Sequence, residues 1–170
     1  SFVSDNYTAF GDHAIYDINS KIITMTGNNL KLIADKDWLA AKDQLEYWEK
    51  KQMAVARGNA VAVRENKKIF ADILAAYFKK DRANNSKIYR VDAFDNVKIL
   101  TEKDKAISDR GVYNVESGIA SLSGSVQITR GKNILRGCSA EVNLNTGISK
   151  LFRCPKGNNR VSGSISSKKK

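Results

Sequence analysis

Residue types that support catalysis are scarce in this sequence of 170 residues. His13 is the single histidine, so a serine or cysteine nucleophile that requires an imidazole base has one candidate centre. Glycine-rich phosphate loops, zinc-ligand spacings and calcium loops do not occur in the sequence. Three aspartates, Asp12, Asp43 and Asp109, are the acidic set that would have to converge on a substrate. An enzymatic function therefore depends on whether these aspartates come together.

The three aspartates belong to an internal repeat, and the repeat keeps them apart. Each precedes a tyrosine by four positions, and that tyrosine precedes a glycine by eleven. The three sets are Asp12, Tyr16 and Gly27; Asp43, Tyr47 and Gly58; and Asp109, Tyr113 and Gly124. Residues at the same place in successive repeats are spaced along the repeat axis. We therefore predict that the protein is not an enzyme and holds neither a metal nor another cofactor, and we interpret His13 as a repeat-surface residue.

Two degenerate copies extend the repeat to about five units of roughly thirty residues over positions 10–152. In one copy Tyr77 takes the tyrosine place and Asp95 the glycine place, with a polar insertion at 81–87. In the other copy Val142 takes the tyrosine place. A chain built from such units has an elongated body, and its long surface carries the function.

Each unit has the pattern of two strands and a turn. Turn-forming residues occupy 17–21, 114–118 and 145–147, and the repeat glycines interrupt alternating runs, as expected at a bend or bulge. Residues 36–51 and 66–80 instead show apolar side chains at helical spacing. Because one unit should keep one structure in every copy, we predict strands there as well. The sequence thus predicts an all-β fold.

Composition predicts one domain over residues 1–160 and a basic, disordered tail over 161–170. The formal net charge is +11, from 29 Lys and Arg against 18 Asp and Glu, and much of the excess lies on the body. A basic body suits a phosphate-bearing partner, and it also suits a merely solvated surface. Cys138 and Cys154 pair in an oxidising compartment or stay thiols in a reducing one. Since the chain begins at Ser1 without a methionine, we expect a form from which a signal peptide has been removed.

Three stretches, residues 15–27, 54–61 and 135–147, carry a resemblance to a known family. They resemble the OstA/LptA family of periplasmic lipopolysaccharide-transport proteins of Gram-negative bacteria, and the similarity extends over roughly residues 9–165. The resemblance implies an elongated, slightly twisted antiparallel β-jellyroll, which is a V-shaped sandwich of two sheets. It implies a periplasmic bridge that carries lipopolysaccharide from the inner to the outer membrane. The implied partners are lipopolysaccharide through its lipid A, further copies of the chain end to end, an inner-membrane LptC-like protein and an outer-membrane LptD-like protein, and no nucleic acid.

Alternation within the units places apolar and often small side chains on one face. Stacked units turn this face into a continuous lining, which is a closed core in many β-proteins and which the resemblance implies is a groove for acyl chains. We assign to the lining Ile23, Met25, Leu30, Leu32, Ala54, Ala56, Val61, Val63, Ile73, Tyr77, Val97, Ile99, Leu122, Val126 and Ile128.

The two ends of such a sandwich leave unpaired edge strands, through which a partner can add by strand pairing. We expect these edges within residues 7–18 and 140–152. The residues that we assign to partner contacts are Tyr16, Ile18, Val142 and Leu144.

Other functions are compatible with parts of the sequence. A basic β-protein that binds single-stranded nucleic acid would need exposed aromatic side chains beside its lysines. Tyr16, Tyr47, Tyr77 and Tyr113 are candidates for that role, although their matching repeat positions favour packing. The chain could also be a structural connector, or the OstA-like soluble domain of a membrane-anchored or outer-membrane member of the same transport system.

Overall fold

The computed structural model describes residues 1–4, 7–154 and 161–165, which form a 15-stranded antiparallel sheet. Its strands are β1 (Phe2–Ser4), β2 (Tyr7–Phe10), β3 (His13–Asp17), β4 (Ile22–Thr26), β5 (Leu30–Ala34), β6 (Asp37–Ala41), β7 (Gln44–Trp48), β8 (Met53–Arg64), β9 (Lys67–Lys80), β10 (Ser86–Leu100), β11 (Asp104–Asn114), β12 (Ile119–Arg130), β13 (Asn133–Asn143), β14 (Ser149–Phe152) and β15 (Ser162–Ser164). A 3-10 turn, Glu49–Lys51, separates β7 from β8. No helix in the described ranges is long and apolar enough to span a membrane. The all-β prediction is confirmed.

The sheet folds back on itself because its long strands, β8 to β13, are bent in the middle. The N-terminal part of β8 pairs with β7, whereas its C-terminal part pairs with β6. Each following ladder shifts register at the same level, for example between Arg57 and Ala60 and between Ser123 and Val126. The strands on the β3, β4, β7 and β14 side of the bends are called the first half of the sandwich. Those on the β1, β2, β5, β6 and β15 side are called the second half.

The repeat glycines are located at these bends and have left-handed backbone conformations, with φ of 110°, 83° and 77°. A Cβ atom at each glycine would lie only 2.5–2.9 Å from the Cβ of an aspartate, which is too short for two carbon atoms that are not bonded. The pairs are Gly27 with Asp12, Gly58 with Asp43 and Gly124 with Asp109. The aspartate and the glycine of each repeat therefore face each other across one bend.

One bend is made without glycine. Asp95 and Asn96 both have positive φ there, 62° and 51°, which Asp and Asn tolerate better than other side chains do. The Nδ2 of Asn96 donates a hydrogen bond of 2.8 Å to Asp72 Oδ2 on the neighbouring strand. Asp95 thus occupies the glycine place of its unit, as the repeat predicts, and an aspartate still faces the bend.

The two stretches with helical spacing are strands, and the strand prediction is confirmed for all but the 3-10 turn. The helical spacing arises because β9 is apolar on both faces. Leu74, Ala76 and Phe78 point into the sandwich, while Ile73 and Tyr77 pack on its outer surface. Such a two-sided strand has no clean alternation, so its apolar residues can match a helical period by chance.

The two halves enclose one large apolar cluster, called the interior cluster below. Tyr7 of the second half packs against Tyr47 of the first, with ring centroids 4.5 Å apart, and Tyr47 packs edge-on against Phe78 at 6.1 Å. Alanine is the commonest residue in the cluster: Ala9, Ala34, Ala54, Ala56, Ala60, Ala62, Ala71, Ala76, Ala93, Ala106, Ala120 and Ala140 are all buried there. Small side chains allow the halves to approach closely.

Covalent and ladder contacts hold the C-terminal end of the body. Cys138 on β13 and Cys154, just after β14, form a disulfide with a Cα–Cα distance of 5.1 Å. Beyond it, β15 pairs with β13 through Ser162, Gly163 and Ser164, within the stretch that composition predicts to be a tail. Residues 166–170 lie outside the described part of the chain, so the tail stays a prediction there.

Candidate functional site

Most of the residues assigned to the lining do lie on one surface, the inner face of the sandwich. They are Ile23, Met25, Leu30, Leu32, Ala54, Ala56, Val97, Ile99, Leu122, Val126 and Ile128, and all are buried in the interior cluster. Ladder pairs connect them across strands, for example Leu32 with Leu39 and Ile128 with Ala106. The inner face is therefore a continuous apolar row from the N-terminal to the C-terminal strands.

Four other residues assigned to the lining face the outer surface: Val61, Val63, Ile73 and Tyr77. Val126 is two positions after its bend glycine, whereas Val61 is three positions after Gly58, and a shift of one residue moves a side chain to the opposite face of the sheet. Ala60 and Ala62 occupy the inner positions instead. The placement expected for these four residues is wrong.

The inner face is packed rather than open along the N-terminal and central strands. A cavity of about 10 Å³ lies between Tyr7, Ile23, Leu32 and Leu45. Another, of about 20 Å³, lies between Ala62, Ile69, Val91 and Tyr113. Each holds no more than about one water-sized sphere. Long chains can enter the inner face only when the two halves move apart.

Polar side chains lie along the open side of the sandwich, opposite the bends, and one of them connects the two halves. Arg130 Nη2 on the second half donates to the Gly147 carbonyl on the β13–β14 hairpin of the first half (2.5 Å). The same guanidinium forms a bidentate pair with Asp104 at 2.5 and 2.7 Å, and this pairing raises the pKa of Arg130. At another point on this side Arg64 pairs with Asp37 at 2.5 Å. Burial raises the pKa of Asp37 because it outweighs the attraction of Arg64.

The long β9–β10 hairpin adds positive charge to the same open side. Lys79, Lys80, Arg82 and Lys87 lie in or beside its turn. Asp81 Oδ1 accepts hydrogen bonds from backbone N–H groups of the turn, and Lys87 pairs with Asp81 Oδ2 at 2.9 Å. The salt-bridge hydrogen bond from Lys87, followed by these backbone donors, lowers the pKa of Asp81. The polar insertion that interrupts the repeat is therefore an ordered basic hairpin.

The first half ends in an edge strand on each side, β3 and β14. The Asn143 N–H donates to the Ile148 carbonyl (2.8 Å), and bonded and non-bonded pairs alternate along an antiparallel ladder. Lys150 therefore bonds to β13, whereas Ser149 and Leu151 direct their backbone groups away from the sheet. These groups are available for pairing with another strand.

The edge strands β3 and β14 lie within the expected ranges, 7–18 and 140–152, but the contact residues assigned to the second range are misplaced. Tyr16 is on β3 and Ile18 directly follows it, with 44% and 69% of their surfaces exposed. Val142 and Leu144 are 2% and 7% exposed and belong to the interior cluster. Val142 is opposite both Ala120 on β12 and Ser149 on β14, so it lies one strand inside the edge. The short β14 has too little alternation for the sequence to reveal it as a separate strand.

Exposed hydrophobic side chains are concentrated at the two ends of the body. They are Val3, Phe10, Ile15, Tyr16 and Ile18 at the N-terminal end, and Ile148, Phe152, Val161 and Ile165 at the C-terminal end. Sequence reasoning identified Tyr16 and Ile18 and missed the others. Both ends thus combine unpaired strand edges with apolar side chains, as docking edges do.

The outer surface of the first half has its own small apolar cluster, built from Met53, Val55 and Ala75 with surrounding aromatic rings. Lysine and arginine side chains cover these and other outer rings, for example Lys51 over Trp48 (4.6 Å) and Lys98 over Phe70 (4.5 Å). Aromatic rings that are covered by cations do not form a free stacking platform for bases. The outer surface therefore gives little support to the nucleic-acid alternative.

His13 and its neighbour show no catalytic arrangement. His13 is exposed on the edge strand β3. Asp12 Oδ2 accepts hydrogen bonds from the backbone and side chain of Asn28, and the backbone bond is the main cause of its lowered pKa. Within the described ranges, no group of three or more His, Cys, Asp or Glu side chains could hold a metal ion.

Comparisons with known proteins agree with this architecture. Residues 41–148 match the family described as LptA/(LptD N-terminal domain) LPS transport protein. An uncharacterised protein of Rhizobium meliloti (strain 1021) is 25% identical over 130 residues, which cover 74% of this chain and 70% of that protein. LptH from Pseudomonas aeruginosa is described as the LptA homologous periplasmic component of the conserved lipopolysaccharide transport device. Its crystal structure matches with a TM-score of 0.61 at 14% identity over 95% of both chains, so the two share a fold.

Proposed function

The chain belongs to the LptA/(LptD N-terminal domain) family of lipopolysaccharide transport proteins, and from this premise we propose that it binds lipopolysaccharide through the acyl chains of lipid A on its inner face. The observation that carries the proposal is the unbroken apolar row on that face. Each methylene that leaves water contributes about 0.8 kcal/mol, so several chains can be held without a dedicated polar site. No enzymatic step is part of the proposal.

Charge on the open side supports the same ligand. Lipid A carries phosphates, and a lipid whose chains lie between the halves presents its head group at the open side. Lys79, Lys80, Arg82 and Lys87 on the β9–β10 hairpin lie there, and Lys and Arg are the usual partners of phosphate. The basic hairpin would therefore neutralise head groups while the inner face holds the chains.

A periplasmic location is part of the proposal. The Cys138–Cys154 disulfide suits an oxidising compartment, because cytosolic reductants keep most thiols reduced. The proposal applies equally to a free-standing protein and to a domain of a larger chain.

We further propose that copies join end to end, and that the terminal copies meet an LptC-like protein at the inner membrane and an LptD-like protein at the outer membrane. Strand addition between a β14 edge and a β3 edge would extend the sheet from one molecule to the next. Exposed apolar residues at both ends, such as Ile18 and Ile148, would be covered in the joint. The apolar rows of neighbouring molecules would then form one path.

The two methionines of the chain offer an internally controlled test of lipid binding. Met25 lies in the interior cluster and Met53 in the outer cluster. Photo-methionine replaces both residues with little change in volume, and the labelled protein is irradiated with purified lipopolysaccharide. We expect lipid adducts on the peptide that contains Met25 and few on the peptide that contains Met53, measured by mass spectrometry.

A Met53→Leu variant leaves a single probe and should keep the adducts. Equal labelling of the two methionines in the wild type would contradict binding on the inner face. Saturable binding of single-stranded DNA that weakens steeply with salt, without lipid adducts, would favour the nucleic-acid alternative instead.

A further inference from the structure

A cavity of about 300 Å³ opens at the C-terminal end of the sandwich, where the two halves part. It lies between β12, the start of β13 and the β13–β14 hairpin. Its apolar wall is formed by Ile128, Leu135, Ile148 and Ile165. Its volume is at the lower end of the range for small-molecule sites.

The cavity continues the interior row to the surface. Ile128 is 3% exposed and belongs to the interior cluster, and its ladder partner Leu135 stands beside it on β13. Ile148, in contrast, is 66% exposed at the outer rim. An extended apolar chain can therefore enter from solvent and end against the packed core without any separation of the halves.

Two polar groups mark the cavity as more than an apolar gap. The Arg130 guanidinium lies at its rim, held by Asp104 and the Gly147 carbonyl, and its side chain is 52% exposed. Ser149 also lines the cavity, and its hydroxyl is shielded from solvent without a hydrogen-bond partner in the described part of the chain. A buried hydroxyl without a partner costs free energy, which a ligand that bonds to it would recover.

We propose that this cavity is a binding site for a single acyl chain with an anionic head group. The chain would pack on Ile128, Leu135 and Ile148, and the head group would accept hydrogen bonds from Arg130. After rotation of its side chain toward the cavity, the Ser149 hydroxyl would bond to an oxygen near the start of the chain. The inference rests on the proposed function, because the cavity would be the last lipid-binding position at the C-terminal end of the inner face. Binding there requires neither long chains nor separation of the two halves.

Octyl phosphate, used as monomers, is a suitable probe. The readout is the shift of isoleucine methyl signals in NMR spectra of the whole protein. We expect Ile128 and Ile148 to shift and Ile15 and Ile18, at the opposite end, to stay unchanged. Each methylene removed from water is worth about fourfold in affinity, so hexyl phosphate, which is two methylenes shorter, should bind roughly fifteenfold more weakly. Octyl glucoside, which has a neutral head group, should also bind more weakly.

Matched variants test the head-group contact. Arg130→Gln should weaken octyl phosphate binding by about tenfold or more, because a charge-assisted hydrogen bond is lost. Lys132→Gln removes the same charge from the adjoining exposed turn and should change the affinity by less than about twofold. Ile148→Ala, at an exposed position that the fold does not need, should weaken binding by about fivefold.

Equal affinities of the Arg130→Gln and Lys132→Gln variants would overturn the proposal. So would Ile148 shifts that grow with protein concentration and resist octyl phosphate, because a second copy would then occupy the cavity. Lipid adducts at Met25 without any response of Ile128 to octyl phosphate would remove this site and leave the proposed function intact. If neither Met25 adducts nor an Ile128 response were found, both the acyl-chain site and the proposed function would be contradicted.

Discussion

Glu46 is a carboxylate that the structure buries on the outer face of the sheet, and its surroundings keep it ionised. Its carboxylate accepts hydrogen bonds from Arg57 Nε (2.8 Å), Trp48 Nε1 (2.7 Å) and Gln44 Nε2 (2.7 Å). Burial raises the pKa of Glu46, but these three donors together outweigh burial, so the net pKa is lowered. Ionised Glu46 therefore stabilises the folded state.

This stabilisation depends on pH with a definite sign. Because the folded-state pKa of Glu46 is depressed, its contribution is present above the unfolded-state value of about 4.3 and is lost as the pH falls through the folded-state value. We expect Glu46→Gln to lower the free energy of unfolding by about 1 kcal/mol at pH 7. Urea denaturation should show that the difference shrinks below about pH 4.

Glu141→Gln is the control, since Glu141 is exposed on β13 and should contribute less than about 0.5 kcal/mol. A difference between the wild type and Glu46→Gln that is equally large at pH 7 and pH 3 would show that the carboxylate charge is not its source.

At the scale of strands, the repeat predicts the bends well and the inner face only in part. The spacing of Asp43 and Gly58 identifies two residues that meet at one bend, because the same contact recurs in each unit. The sequence does not show how many residues each bend absorbs, and this number decides which face Val61 occupies. The inner or outer position of Tyr77 is hidden for a related reason: β9 is apolar on both faces, so alternation cannot identify the inner one.

The edge strand β14 has a backbone N–H, that of Ser149, that points away from the sheet. We expect Ser149→Pro to weaken self-association without unfolding the protein, because the N–H lost at Ser149 points away from β13. Sedimentation velocity should show smaller assemblies at an unchanged melting temperature.

Lys150→Pro is the matched control one residue away. Its N–H bonds to β13, so this substitution should lower the melting temperature as well. Assemblies of wild-type size in Ser149→Pro would show that β14 is not a docking edge.

For the whole molecule, the packed inner face means that lipopolysaccharide binding as proposed would have to change the shape of the sandwich. Facing sheets in a closed core are about 10 Å apart, and this spacing leaves no room for acyl chains between them. Alanine at many inner positions limits how far side chains interlock, and separation of the halves therefore disrupts less packing than it would in a core of leucine and phenylalanine.

Spin labels on the outer surfaces can measure this separation. Lys105→Cys is on the second half and Ser121→Cys is on the first, and both positions are exposed. We expect electron-electron distance measurements to show an increase on addition of lipopolysaccharide, because chains must enter between the halves. Labels at Thr24 and Ser121, both on the first half, should keep their distance. If the distance between the labels at 105 and 121 stayed unchanged at a saturating concentration of lipopolysaccharide, the claim that the halves move apart on binding would be contradicted.

The Cys138–Cys154 disulfide has a mechanical consequence. A partner that pulls on β14 would load the few ladder bonds that join its hairpin to β13 through Glu141 and Asn143, and such bonds open one after another when a strand is peeled. The disulfide connects Cys138 on β13 to Cys154, just after the end of β14. Part of the tension is therefore carried by a covalent bond instead of the ladder hydrogen bonds. If the chain connects two membranes as proposed, the disulfide would hold β14 in place under a pull that would peel away an edge strand without such a bridge.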